Sequence, residues 1–75
     1  MDSQKFIELF AEALDKEASD LSIDTEFRTL DVWDSMVYLS VIAMLDEEYG
    51  IQIENAEFKT LKTIQDIINY IEAHQ

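Results

Sequence analysis

The chain has 75 residues, no cysteine and a formal net charge of −12, from 17 acidic and 5 basic side chains. That length allows one domain, residues 1–75, with a core only marginally large enough, and the missing cysteine excludes disulfides and thiolate metal sites. The charge repels phosphate backbones and anionic lipid surfaces, which excludes nucleic-acid and membrane partners and favours proteins with basic patches.

Apolar residues make up 48% of the chain, enough for a folded core despite the charge. No basic-then-apolar leader starts the sequence, and no apolar run approaches the roughly 18 residues of a membrane span. The expectation is a cytoplasmic protein, neither secreted nor inserted in a membrane.

In chain order, "SQKFIELFAEALDKEA" puts Phe6, Ile7, Leu9, Phe10, Ala13 and Leu14 at helical spacing, with Lys5, Glu8, Glu12, Asp15 and Lys16 largely opposite. This predicts a first helix over about residues 3–17, capped by Ser3 and supported by a Glu12–Lys16 pair. From Ala18 to Trp33 the helical period vanishes. A connection that long in a compact domain points either to a missed element or to a functional loop, and Leu21, Ile23, Phe27, Leu30 and Trp33 predict that it lies on the core.

Asp34 to Tyr49 is the most apolar stretch and reads as a second helix stopped by Gly50. "IQI" at 51–53 alternates like a strand but is too short to be one. Glu54 to Lys59 suggests a turn or two of helix with Phe58 inward. The last helix begins near Thr63, which forms a capping-box pattern with Asp66. Ile64, Ile67, Ile68 and Ile71 follow at i, i+3, i+4, i+7 and give the clearest amphipathic signal in the chain. The predicted fold is all-α: a small four-helix bundle, three main helices plus one short one, with a long first loop.

Chemistry of its own is scarce. The only histidine is His74, next to the C-terminal residue. With no cysteine either, no Ser-His or Cys-His nucleophilic site can be assembled, and the chain is not expected to be an enzyme. Asp20, Ser22, Asp24 and Asp31 match four oxygen positions of a calcium loop. However, Thr25 stands where that loop needs glycine, and Asp31 replaces the bidentate glutamate. No metal site is predicted.

The remaining candidate is "DVWDSM". Asp34 or Ser35 is a suitable helix cap, a role worth about 1 kcal/mol. A helix N-terminus is also a good neighbour for a phosphate carried on Ser35.

At these residues the chain resembles an acyl carrier protein over essentially its whole length. Asp34-Ser35-Met36 stands where the family has Asp-Ser-Leu, and "LDEEYGIQI" resembles the family's Leu-Glu-Glu-x-Phe-x-Ile-x-Ile. The long first loop and the ending "TLKTIQDIINYIEAHQ" are similar as well. The resemblance implies that Ser35 carries a covalent 4′-phosphopantetheine arm from coenzyme A, placed there by a phosphopantetheinyl transferase, with Asp34 and Met36 as adjacent motif residues. Acyl groups would ride on the arm's thiol as thioesters. They would pass between ligases or synthetases, ketosynthases and acyltransferases of fatty-acid or related polyketide synthesis. The implied protein is a monomeric carrier. An aminoacyl or peptidyl carrier of the same fold, and an unmodified helical interaction module, stand as alternatives.

The resemblance also implies a partner-recognition face along the second helix, read here as Asp34, Met36, Val37, Ser40, Ala43, Asp46 and Glu47. Val37 and Ser40 stand where fatty-acid carriers are usually acidic, and Val32 and Trp33 where many have small residues. The face is therefore more apolar than the family's norm, which suggests a specialised carrier whose partners combine basic with apolar patches. For Val37 and Tyr38, packing against the first loop is an equally good reading. Leu39, Ile42, Leu45, Ile53, Phe58 and Ile68 are candidates to line an interior shelter for an acyl chain, where each buried CH₂ contributes about 0.8 kcal/mol. Periodicity does not show whether that shelter exists.

Overall fold

The computed structural model describes residues 1–75. Four helices follow in order: α1, Ser3–Leu14; α2, Ser35–Tyr49; α3, Asn55–Phe58; and α4, Ile64–His74. Single 3₁₀ turns at Ala18–Asp20 and Phe27–Thr29 interrupt the long α1–α2 connection. The expected three main helices, short fourth helix and long first loop are all present.

Helix α1 departs from expectation at both ends. Asp2, not Ser3, is its cap, accepting the Lys5 N–H at 3.2 Å. The helix stops at Leu14, where Asp15 turns left-handed at φ 57°. There the Asp15 N–H bonds the Glu12 carbonyl at 3.2 Å and the Lys16 N–H bonds the Ala11 carbonyl at 2.9 Å. This paired closure satisfies carbonyls that the helix end would leave open. Lys16 therefore lies past the helix and does not pair with Glu12; its ammonium is 3.9 Å from the Asp31 carboxylate.

The other boundaries follow their sequence signals. Gly50, at φ 65°, closes α2 through its N–H to the Asp46 carbonyl, and the Ile51 N–H reaches the Leu45 carbonyl. The capping box of α4 is formed, with Thr63 accepting the Asp66 N–H and Asp66 accepting the Thr63 N–H. Ile51 and Ile53 are buried and Gln52 is exposed, so the alternation in "IQI" is real without any strand pairing.

The core is one cluster of 17 buried side chains drawn from all four helices and the loops. Phe6 and Phe10 of α1, Val41 and Leu45 of α2, Phe58 of α3 and Ile64, Ile67, Ile68 and Ile71 of α4 meet at its centre. Burying each such side chain contributes about 1.5–3 kcal/mol, which is how so short a chain holds its shape. The long loop lies on this core, as expected. Leu21 and Phe27 are buried and Leu30 and Trp33 half-buried, although Ile23 faces out. The loop is also tied to α4 through the backbone. The Ile64 N–H donates to the Thr25 carbonyl at 3.1 Å and the Gln65 N–H to the Ile23 carbonyl at 2.8 Å. These bonds use donors that a helix start would otherwise leave unpaired. No helix is long and apolar enough to cross a membrane.

Candidate functional site

The candidate site lies at the end of the long loop and the start of α2. Asp34 is extended and caps the helix, its Oδ1 accepting the Val37 N–H at 2.9 Å while its carbonyl accepts the Tyr38 N–H at 3.0 Å. The cap thus belongs to Asp34 and not to its neighbour. Ser35 is the first helical residue, exposed, and its hydroxyl takes no part in the cap. The Ser35 and Met36 N–H groups stay free of backbone and side-chain acceptors. Together with the helix dipole they give this end partial positive charge. An exposed hydroxyl beside unpaired N–H groups is accessible to a modifying enzyme and compatible with a phosphate on the serine.

The predicted recognition residues mostly share the outer face of α2. Asp34, Met36, Ser40, Ala43, Asp46 and Glu47 are all exposed. Val37 is half-buried and packs on the core, as does Tyr38, which favours the packing reading for both. One member of the face was not expected. Leu39, a candidate for the interior, is 59% exposed, and Met36 is 71% exposed. Leu39 follows Ser35 by four residues, so one helical turn places it on the serine's side. That spacing was the available signal.

Of the other candidate shelter residues, Leu45, Ile53, Phe58 and Ile68 are buried and Ile42 is half-buried. Behind Ser35 the interior is aromatic. Trp33 stacks on Phe58 with centroids 6.2 Å apart and planes 7° from parallel. Tyr38 meets Phe58 edge-on at 5.2 Å, and Phe27 lies 5.0 Å from Trp33 and 5.5 Å from Phe58. Such tilted and offset contacts are favourable beyond area burial alone.

The acidic loop does not gather its carboxylates. Ser22 and Thr25 close a turn on each other, with the Ser22 N–H donating to Thr25 Oγ1 at 2.9 Å. No three histidine, aspartate or glutamate side chains converge as metal ligands.

Comparison with known proteins agrees with this arrangement. Residues 4–71 match the phosphopantetheine attachment site family. The chain is 36% identical over 72 residues to the acyl carrier protein of Rickettsia canadensis (strain McKiel), covering 96% of this chain and 84% of that one. It is 35% identical over the same length to the acyl carrier protein of Rickettsia typhi (strain ATCC VR-144 / Wilmington), with the same coverage. The chain belongs to the acyl carrier protein family. Acyl carrier proteins are carriers and not enzymes, and their cofactor is covalently held 4′-phosphopantetheine. They work with a phosphopantetheinyl transferase and with acyl-processing enzymes. The cofactor's thiol supplies the thioester chemistry, so a carrier of this family needs no cysteine of its own, and this chain has none.

Proposed function

We propose that Ser35 is the residue on which this carrier holds its arm. The supporting observation is the division of labour at the start of α2: Asp34 supplies the cap, and the exposed Ser35 hydroxyl is left for modification. In the attachment step, Ser35 Oγ bonds to the phosphorus nearer the pantetheine of coenzyme A. The phosphoanhydride bond breaks, adenosine 3′,5′-bisphosphate leaves, and the hydroxyl proton passes to a base on the transferase. Nothing near Ser35 in this chain needs to act as that base, because the transferase brings it.

The reading extends to a single carrier domain over residues 1–75, monomeric and cytoplasmic, serving a specialised acyl or polyketide pathway. The specialised role is supported by the outer face of α2. Ser40, Ala43, Met36 and Leu39 make that face apolar or neutral along most of its length, with Asp34, Asp46 and Glu47 at its two ends. Partners would therefore pair a basic patch with an apolar one.

Intact-mass measurement after incubation with a phosphopantetheinyl transferase, magnesium and coenzyme A tests the attachment. Wild type gains one phosphopantetheinyl group and Ser35→Ala gains none. A gain that survives the substitution, or no gain in wild type, refutes the assignment. Competition against a general fatty-acid carrier for bulk fatty-acid synthase enzymes tests the pathway, and full activity there refutes the specialised role.

A further inference from the structure

Two hollows open on the surface, and neither lies behind Ser35. The larger, about 350 Å³, runs between α1 and α2 past Leu9, Ala13, Ser40 and Met44, and carries the carboxylates of Glu12, Glu47 and Glu48. The smaller, about 180 Å³, lies beside Met1, Lys5, Tyr49 and Gln75. Behind the first turn of α2 there are rings instead. Trp33 and Tyr38 flank Ser35 along the chain, and both close on Phe58, with Phe27 completing the cluster.

The wall opposite α2 is fastened from two sides. Arg28 Nη2 donates to the Phe58 carbonyl at 2.7 Å, and the Tyr70 hydroxyl donates to the Glu57 carboxylate at 3.0 Å. Helix α3 is thus pinned by the long loop and by α4. A close-packed interior admits a new group only by displacing what fills it. Here the displaced groups would be four mutually packed rings and a doubly held helix.

We propose that the Phe27, Trp33, Tyr38 and Phe58 rings close the bundle to cargo, so that an acyl group tethered through Ser35 stays outside the protein. The proposal rests on the attachment at Ser35 argued above. It names the cargo class as short or polar acyl groups, because a long alkyl tail would keep its apolar surface in water. On the outside, the exposed Met36 and Leu39 offer contact on one side only.

The experiment uses the holo protein with acetyl, butyryl, octanoyl and dodecanoyl groups on its arm, followed by thermal melting and by NMR. Across the series the melting temperature is expected to change by less than about 1 °C, well under the shift that 1 kcal/mol of stabilisation produces in a domain this size. Signals from Phe27, Phe58 and Ile68 are expected not to move with chain length. A melting temperature that climbs with chain length overturns the proposal, as do length-dependent shifts at those residues or along the α1–α2 hollow.

Tyr38→Ala and Trp33→Ala, both at half-buried positions, remove part of the barrier. Octanoyl is then expected to raise the melting temperature of at least one variant. Two folded variants that ignore octanoyl overturn the role given to these rings, and the wild-type series decides alone should either variant fail to fold. Failure of the arm to attach at all shows as a missing mass gain. It would sink the Ser35 assignment and this proposal with it, a result distinct from any chain-length effect.

Discussion

Arg28 holds the last carbonyl of α3: its guanidinium donates to the Phe58 oxygen at 2.7 Å while lying 5.0 and 5.4 Å from the Phe27 and Phe58 ring centroids. One cation therefore joins the long loop to the short helix and sits against two rings of the cluster behind Ser35. Hydrogen bonds from charged groups contribute about 1.5–3 kcal/mol. Arg28→Ala is expected to destabilise the protein by about 1.5–3 kcal/mol in urea unfolding through the lost charged bond, although the Phe58 carbonyl keeps the Leu61 N–H at 3.0 Å. Arg28→Lys should recover a fraction, lacking the planar fork that lies against the rings. A loss below about 0.5 kcal/mol, the range of unremarkable surface changes, would mean that burial of Leu21 and Phe27 and the backbone bonds to α4 secure the loop without Arg28.

Asp34 and Ser35 are chemically equivalent as caps, yet only Asp34 accepts from the Val37 N–H. Asp34→Ala is expected to cost about 1 kcal/mol, and Asp34→Asn to be nearly neutral. Ser35→Ala should leave stability within about 0.5 kcal/mol of wild type, as for an exposed residue outside any structural feature. Equilibrium unfolding of the three variants checks the assignment; a Ser35→Ala loss as large as that of Asp34→Ala would place the cap on the wrong residue.

How far the sequence could be read depended on whether one physical signal dominated at each place. The isoleucines of α4, with Thr63 and Asp66, carry period and cap together, and both are found where expected. The end of α1 was hidden because Asp15 takes a left-handed conformation that sequence signals more readily with glycine. Leu39 was misplaced because α2 is apolar nearly all round, so its period does not select a face. The anchoring of the loop to α4 runs through backbone groups of Ile23 and Thr25, which leave no side-chain signature. That a serine stands exposed at the start of α2 was legible; which residue caps, and what fills the space behind, are outcomes of tertiary packing with no local signal.

The exposure of Leu39 separates folding from recognition. Leu39→Asp is expected to keep stability within about 0.5 kcal/mol, where truncating a buried leucine costs about 2–5 kcal/mol. The same change should slow acyl transfer to a partner enzyme through a raised KM, since it alters the face beside Ser35 without touching the arm. Unfolding curves paired with transfer kinetics distinguish the two effects, and a large loss of stability would return Leu39 to the interior.

Asp66 links α4 to pH. Its carboxylate accepts the Lys62 N–H at 2.9 Å and the Thr63 N–H at 3.0 Å, and these bonds hold its pKa below the ordinary value of 3.8. A carboxyl with a depressed folded pKa contributes stability that is complete above its unfolded value and is lost as pH falls through the folded one. The stability gap between wild type and Asp66→Asn should therefore be constant near neutrality and shrink as the pH drops below 3.8. Urea unfolding at a series of pH values measures it, and a gap that widens in acid contradicts the assignment.

Charge acts against this fold. Against a net charge of −12 stand only two ion pairs, Met1 amino to Glu72 at 3.2 Å and Lys16 to Asp31 at 3.9 Å. Glu12, Glu47 and Glu48 line the α1–α2 hollow, and no salt bridge engages them. At 0.01 M ionic strength the screening length, about 30 Å, exceeds the longest dimension of the molecule, 28 Å. Every carboxylate then repels every other. Near 0.15 M it falls to about 8 Å and only neighbours interact. The melting temperature is expected to rise by on the order of 5 °C over that interval, equivalent to about 1 kcal/mol, with millimolar magnesium acting in the same direction. Glu47→Gln should raise the low-salt melting temperature and flatten the dependence. A melt indifferent to salt would mean that the carboxylates repel one another as strongly in the unfolded chain as in the folded one.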